Sequence, residues 1–187
     1  MSQPRPPHDP YLELADDAAH EAALRSRAES RARLERAERT ATWLGTLHDL
    51  AERGVEVAVT AASGRRHRGA LVGVATDHLA LRSGEDRLVL VALDTVRLVR
   101  PEPQQRLGSA TGDRPPPGDR TLADALDRHV EQRRALTVVL RDVPEPLRGQ
   151  PVAIGEDVLS LRLTVGDPAT VLLPVAAVVE VIVDDAW

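Results

Sequence analysis

The sequence predicts a mainly β protein with added helices, in which one helix-plus-strands unit occurs twice behind a long N-terminal helix. Three observations carry this reading. Apolar residues alternate with polar ones, as at Val55, Val57 and Val59; a Pro-rich segment divides the chain; and the pattern seen before that segment begins again after it. The cores are aliphatic, built from Val, Leu and Ala, since 187 residues include no Phe, one Tyr and two Trp.

Met1 to Pro10 holds four prolines and no periodic apolar pattern, so residues 1–10 are expected to form a disordered tail. Residues 11–39 are rich in Ala, Leu, Arg and Glu without Gly or Pro, which predicts a long helix. Its apolar stripe is thin, mostly Leu24, Ala28, Ala32 and Leu34, and Glu29 with Arg33 and Glu35 with Arg39 stand four apart for surface support. A helix of this kind packs on a partner or on itself.

The first unit covers 40–100. A second helix runs from about Thr42 to Arg53, with Leu44, Leu47, Leu50 and Ala51 on one face and Gly54 as its stop. Strands follow, with turns at Ser63-Gly64 and at Ser83 to Asp86, and Arg87 to Val99 reads as two short strands meeting near Leu93-Asp94. Residues 101–119 contain five prolines and three glycines, the composition of a linker. The second unit covers 120–187 and opens on Thr121-Leu122-Ala123-Asp124, a capping box with Asp in place of Glu, leading a helix through about Arg133.

Setting Thr121 on Thr42 aligns Leu126 with Leu47 and Val130 with Ala51. An offset of one more residue aligns Val57 with Thr137, Val59 with Val139, Gly69 with Gly149, and Asp77-His78-Leu79-Ala80-Leu81-Arg82 with Asp157-Val158-Leu159-Ser160-Leu161-Arg162. Three more residues near Gly166-Asp167-Pro168 pair Leu90 with Leu173, Val96 with Val179 and Leu98 with Val181. Asp77 and Asp157 at equivalent points predict turn geometry, an Asp accepting backbone N–H bonds. Trp43 is expected to anchor its helix, and Trp187 to be frayed or docked on a partner.

The run Gly69-Ala70-Leu71-Val72-Gly73-Val74, then Asp77 to Leu81, then Leu93 to Val99, with Leu173-Pro174-Val175-Ala176-Ala177-Val178-Val179 in the second copy, resembles the Sm-like branch of the SH3-type small β-barrels. The resemblance covers about two thirds of the chain. It implies two tandem barrels of five short, bent strands, with Gly69 and Gly149 where a strand bends sharply. It further implies either RNA binding by rings of barrels or scaffolding through edge-strand pairing. The asparagine expected after the Asp-containing loop and the Arg-Gly of the second Sm signature are both missing.

With no Cys there is no disulfide, thiolate nucleophile or Cys-based zinc site. No P-loop, Gly-x-Gly-x-x-Gly or Gly-x-Ser-x-Gly occurs, and His8, His20, His48, His67, His78 and His129 lack metal-ligand spacing. No enzyme activity, cofactor or small-molecule substrate is expected. The absence of a signal-peptide pattern or a membrane-length apolar run predicts a cytoplasmic protein. Residues 55–100 carry seven Arg against five acids, and 120–187 carry seven against eleven, so only the first unit can present a basic face. Its dense cluster, Arg65, Arg66, His67 and Arg68, is the candidate for phosphate contact. The expected function is a non-enzymatic scaffold whose partner is itself, as a homo-oligomer, or another protein; the alternative is an RNA-binding regulator using that basic hairpin.

Overall fold

Val- and Leu-rich segments with alternating polarity need hydrogen-bonded neighbours on both sides, and here they find them in one antiparallel sheet of ten strands. The computed structural model describes residues 10–84, 87–102, 120–166 and 169–184. The expectations for residues 1–9, for the linker beyond Glu102 and for Trp187 lie outside the described residues. The elements in chain order are α1 (Pro10–Arg39), α2 (Trp43–Glu52), β1 (Glu56–Ala61), β2 (Arg66–Val74), β3 (His78–Ser83), β4 (Arg87–Ala92) and β5 (Val96–Pro101). Then come α3 (Leu122–Glu131), β6 (Leu136–Leu140), β7 (Leu147–Ile154), β8 (Val158–Leu163), β9 (Thr170–Pro174) and β10 (Val178–Asp184).

The strand order is β5-β1-β2-β3-β4-β10-β6-β7-β8-β9. It divides into two halves with the same internal order: fifth, first, second, third, fourth. The chain is thus mainly β with three helices, but the strands form one open ladder and do not close on themselves. β4 and β10 satisfy their open hydrogen-bond rows on each other, which leaves β5 and β9 as the edges.

Local details repeat as well. A 3-10 turn, Leu93–Thr95 or Val175–Ala177, links the last two strands of each half. The first N–H of each turn, from Leu93 or Val175, donates to the Asp77 or Asp157 carbonyl at 2.8 Å. A Cβ on Gly69 would stand 2.2 Å from the Arg82 carbonyl oxygen, and one on Gly149 would stand 2.3 Å from that of Arg162. These glycines are needed for close approach of backbone, as expected.

The register of the repeat differs from the sequence alignment in two places. Gly69 lies opposite Val57 and Gly149 opposite Leu136, so Val57 corresponds to Leu136 and Val59 to Val138. The one extra residue falls in the turn between β6 and β7, not before β6. His78 lies opposite Ala92 and Val158 opposite Pro174, so Leu90 corresponds to Leu172, Val96 to Val178 and Leu98 to Glu180. The reason is that Val178 to Val183 is almost continuously apolar, and a period of two cannot fix register where both faces are covered.

Helix ends follow local chemistry. Thr42 Oγ1 accepts from the Gly45 N–H at 3.0 Å to cap α2, and Gly54 stops it at φ +58°. Thr121 and Asp124 form the full capping box on α3. α2 packs Leu47 and Leu50 into the first core, and α3 packs Leu122 and Leu126 into the second. Trp43 is half exposed, so the anchoring role falls to the leucines. On α1 every described side chain from His20 to Arg33 is exposed, Leu24 included, and no packing partner for it is seen among the described residues. Its described ion pair is Glu21 with Arg25 at 3.9 Å.

Candidate interaction surface

Where β4 meets β10 the two halves share both backbone and core. Leu88, Val89, Leu90 and Val91 lie opposite Val183, Ile182, Val181 and Glu180. Val139, Val179 and Ile182 of the second half join the first core, while Leu90 of the first half is buried in the second. Fully burying an aliphatic side chain of this size stabilises by about 2 kcal/mol, so the halves are held by apolar contact as well as by the ladder.

Polar contacts then fix the junction. Glu180 is fully buried, with Arg65 Nε 2.8 Å from its Oε1 and His67 Nε2 2.9 Å from its Oε2. The buried carboxylate is held by the Arg65 charge beside Oε1 and by the hydrogen bond between His67 and Oε2, while Oε1 itself accepts no hydrogen bond. Arg141 of the second half pairs with Asp94 of the first. Asp77 Oδ1 holds His78 Nδ1 at 2.8 Å, and its Oδ2 accepts from the Leu122 N–H at 3.1 Å, at the first turn of α3. The Asp expected to serve its own turn through its side chain therefore serves the other half's helix.

The structure splits the basic cluster proposed for phosphate contact. β2 begins at Arg66, so this run is strand beyond the turn, and successive side chains point to opposite faces. Arg65 and His67 turn to Glu180, while Arg66 and Arg68 stay exposed on the other side. The partner that divides them, Glu180, was not singled out from sequence. Its signal was a lone carboxylate in the run Val178 to Val183, which has no other polar residue.

Two of the clefts along the junction bear on binding. One, of about 520 Å³, is lined by Asp77, Asp94, Glu156 and Asp157 with Arg141, an anionic face unsuited to phosphate. The other, of about 300 Å³, lies between β4 and α3 and is lined by His78, Leu88, Leu90, Arg120, Arg128 and His129. Among the described residues no cluster of His, Asp and Glu is arranged to hold a metal ion, and no helix is long and apolar enough to cross a membrane.

His129 is buried and its Nδ1 has no hydrogen-bond partner. Burial, reinforced by Arg134 and Arg128, holds its pKa below the ordinary histidine value of 6.5. On acidification the unfolded chain takes up the proton near that value while the folded chain does not. Stability is therefore retained above 6.5 and lost as pH falls toward the folded value. Between about pH 7.5 and about pH 5.5 the melting temperature should drop more for the wild type than for His129→Leu; equal slopes would remove His129 from the account.

The edges carry exposed apolar side chains: Leu98 on β5 is 55% exposed and Leu172 on β9 is 69% exposed. Their counterparts at the internal junction are Glu180, fully buried, and Leu90, 2% exposed. Glu102 N–H donates to Glu56 O, so Val99, three residues back, turns its backbone groups to the open side of β5. Leu163 N–H donates to Ala169 O, and by the same alternation Leu172 faces the open side of β9. No family model matches this chain, and no curated protein matches it by sequence.

Proposed function

We propose that this chain is a non-enzymatic interaction protein, made of two tandem Sm-like small barrels, that self-associates head to tail through its edge strands. The observation that carries this reading is the β4–β10 junction: a fourth strand already pairs there with a fifth strand, and one edge of each kind, β9 and β5, is left over. A contact between unlike edges leaves the pair with one edge of each kind still open, so it propagates into a ring or a filament.

Charge supports unlike over like pairing. The half that ends in β5, residues 40–100, carries eight Arg against seven acids, and the half that ends in β9, residues 120–187, carries seven Arg against eleven. Arg97, Arg100 and Pro101 also blunt β5 against strands in general, a familiar protection of edges. An RNA-binding role has only Arg66 and Arg68 of its cluster left to rest on.

Leu172→Pro removes an amide that faces the open side and leaves the β8–β9 ladder intact. Light scattering over a dilution series should give a multiple of the chain mass for nuclease-treated wild type and the single-chain mass for Leu172→Pro, with equal circular dichroism. A wild type that is monomeric throughout sinks the reading. Assembly that depends on co-purified nucleic acid, seen as a high ratio of absorbance at 260 to 280 nm that salt abolishes, would replace it with the RNA alternative.

A further inference from the structure

Because the two halves share one plan, the internal junction can be compared with the open edges position by position. Leu98 on β5 takes the place of Glu180 on β10, since Thr60 lies opposite Leu98 and the corresponding Val139 opposite Glu180. Leu147 on β7 takes the place of His67 on β2, since these face Val138 and Val59. The buried hydrogen-bonded pair Glu180–His67 thus has a leucine pair, Leu98 with Leu147, as its counterpart. The second charged contact changes in the same sense. Ala62 follows β1 as Arg141 follows β6, and Ala176 is the middle residue of its 3-10 turn as Asp94 is of the other. The ion pair Arg141–Asp94 is matched by two exposed alanines. The third contact is kept: Asp157 stands for Asp77, is exposed and has no side-chain partner among the described residues, and Trp43 opens α2 as Leu122 opens α3.

At His67–Glu180 and at Arg141–Asp94 the two sides differ together, polar with polar inside the chain and apolar with apolar at its edges, while Arg65, the other partner of Glu180, corresponds to Glu145. We propose that the open edges are built for a second copy of this chain in the register of the internal junction, Val99 opposite Leu172 and Leu98 opposite Leu173. Leu98 then packs on Leu147 of the next copy, and the Asp157 carboxylate of that next copy accepts the Trp43 N–H of the first. This rests on the head-to-tail reading above and adds its selectivity. A β5 edge entering the internal site would set Leu98 against His67 and Arg65 with no carboxylate to pair them. A β10 strand entering the outer site would bury Glu180 against Leu147 with no cation. Each mismatch strands a charge, so the two contact sets keep β10 on its own β4 and direct β5 to a foreign β9.

Two variants on exposed residues test this without disturbing either core, with assembly read by sedimentation velocity over a dilution series. Leu98→Glu should weaken assembly at least about tenfold, because the charge meets Leu147 without a cation. Ala62→Arg with Ala176→Asp, which copies the internal ion pair, should strengthen assembly about threefold beyond the sum of the single changes, and added salt should erase the gain. If Leu172→Pro is monomeric while Leu98→Glu assembles like wild type, or if the Arg/Asp pair shows no coupling, the register is wrong and the edge reading survives. If the wild type does not assemble at all, both fall.

Discussion

Gly69→Ala is expected to destabilise the protein by about 3 kcal/mol, although it adds a single methyl group. The added carbon would stand 2.2 Å from the Arg82 carbonyl oxygen and 2.7 Å from its carbon, so the obstacle is backbone of the neighbouring strand and cannot rotate away. Moving β3 would also disturb its ladder with β4 and, through β4, the junction with β10. Gly149→Ala should behave alike, with the Arg162 carbonyl oxygen at 2.3 Å. Gly73→Ala is the control, because its new methyl would meet Ala80 Cβ at an ordinary 3.8 Å. Urea unfolding separates the three. A Gly69→Ala protein as stable as Gly73→Ala would show that β2 and β3 approach less closely than described.

Glu180→Gln should cost about 3 kcal/mol, because it leaves the buried side facing Arg65 and His67 without its charge. Arg65 remains 42% exposed and can turn to water, which places the loss at the lower end for a broken buried pair. Changing Glu180 and His67 together to Leu should recover most of that loss, since replacing a buried ion pair by apolar residues of similar volume is often neutral. The chain already makes this exchange at the corresponding positions Leu98 and Leu147. In a double-mutant cycle the coupling between positions 67 and 180 should exceed about 1 kcal/mol. Additive losses would mean that the junction rests on its ladder and shared core alone.

Much of the fold is legible in local chemistry. Thr42 and Thr121 mark the starts of their helices by offering an oxygen to an orphan N–H, and Gly54 ends α2 by accepting a positive φ. The breaks between β1 and β2 and between β4 and β5 fall where the alternation stops, near Ser63-Gly64 and Leu93-Asp94. Register within the repeat was less legible. An alignment rewards Val on Leu at almost any offset, whereas the ladder sets Val57 and Leu136 opposite the two glycines and puts Leu172, not Leu173, in the place of Leu90.

The candidate surface was the least legible part. Arg65 to Arg68 reads as one basic patch, yet strand geometry sends neighbours to opposite faces and Glu180, more than a hundred residues away, draws Arg65 and His67 inward. That partner is invisible to any local pattern.

The sequence by itself determined the elements, their caps and turns, and the existence of two similar halves, because these depend on side chains a few residues apart. The tertiary structure decided that β4 joins β10 and that β5 and β9 remain open. It also decided which charges are buried and which leucines are left outside. Those outcomes depend on which hydrogen-bond row finds a partner and which carboxylate finds a cation, and both are properties of residues brought together only by folding.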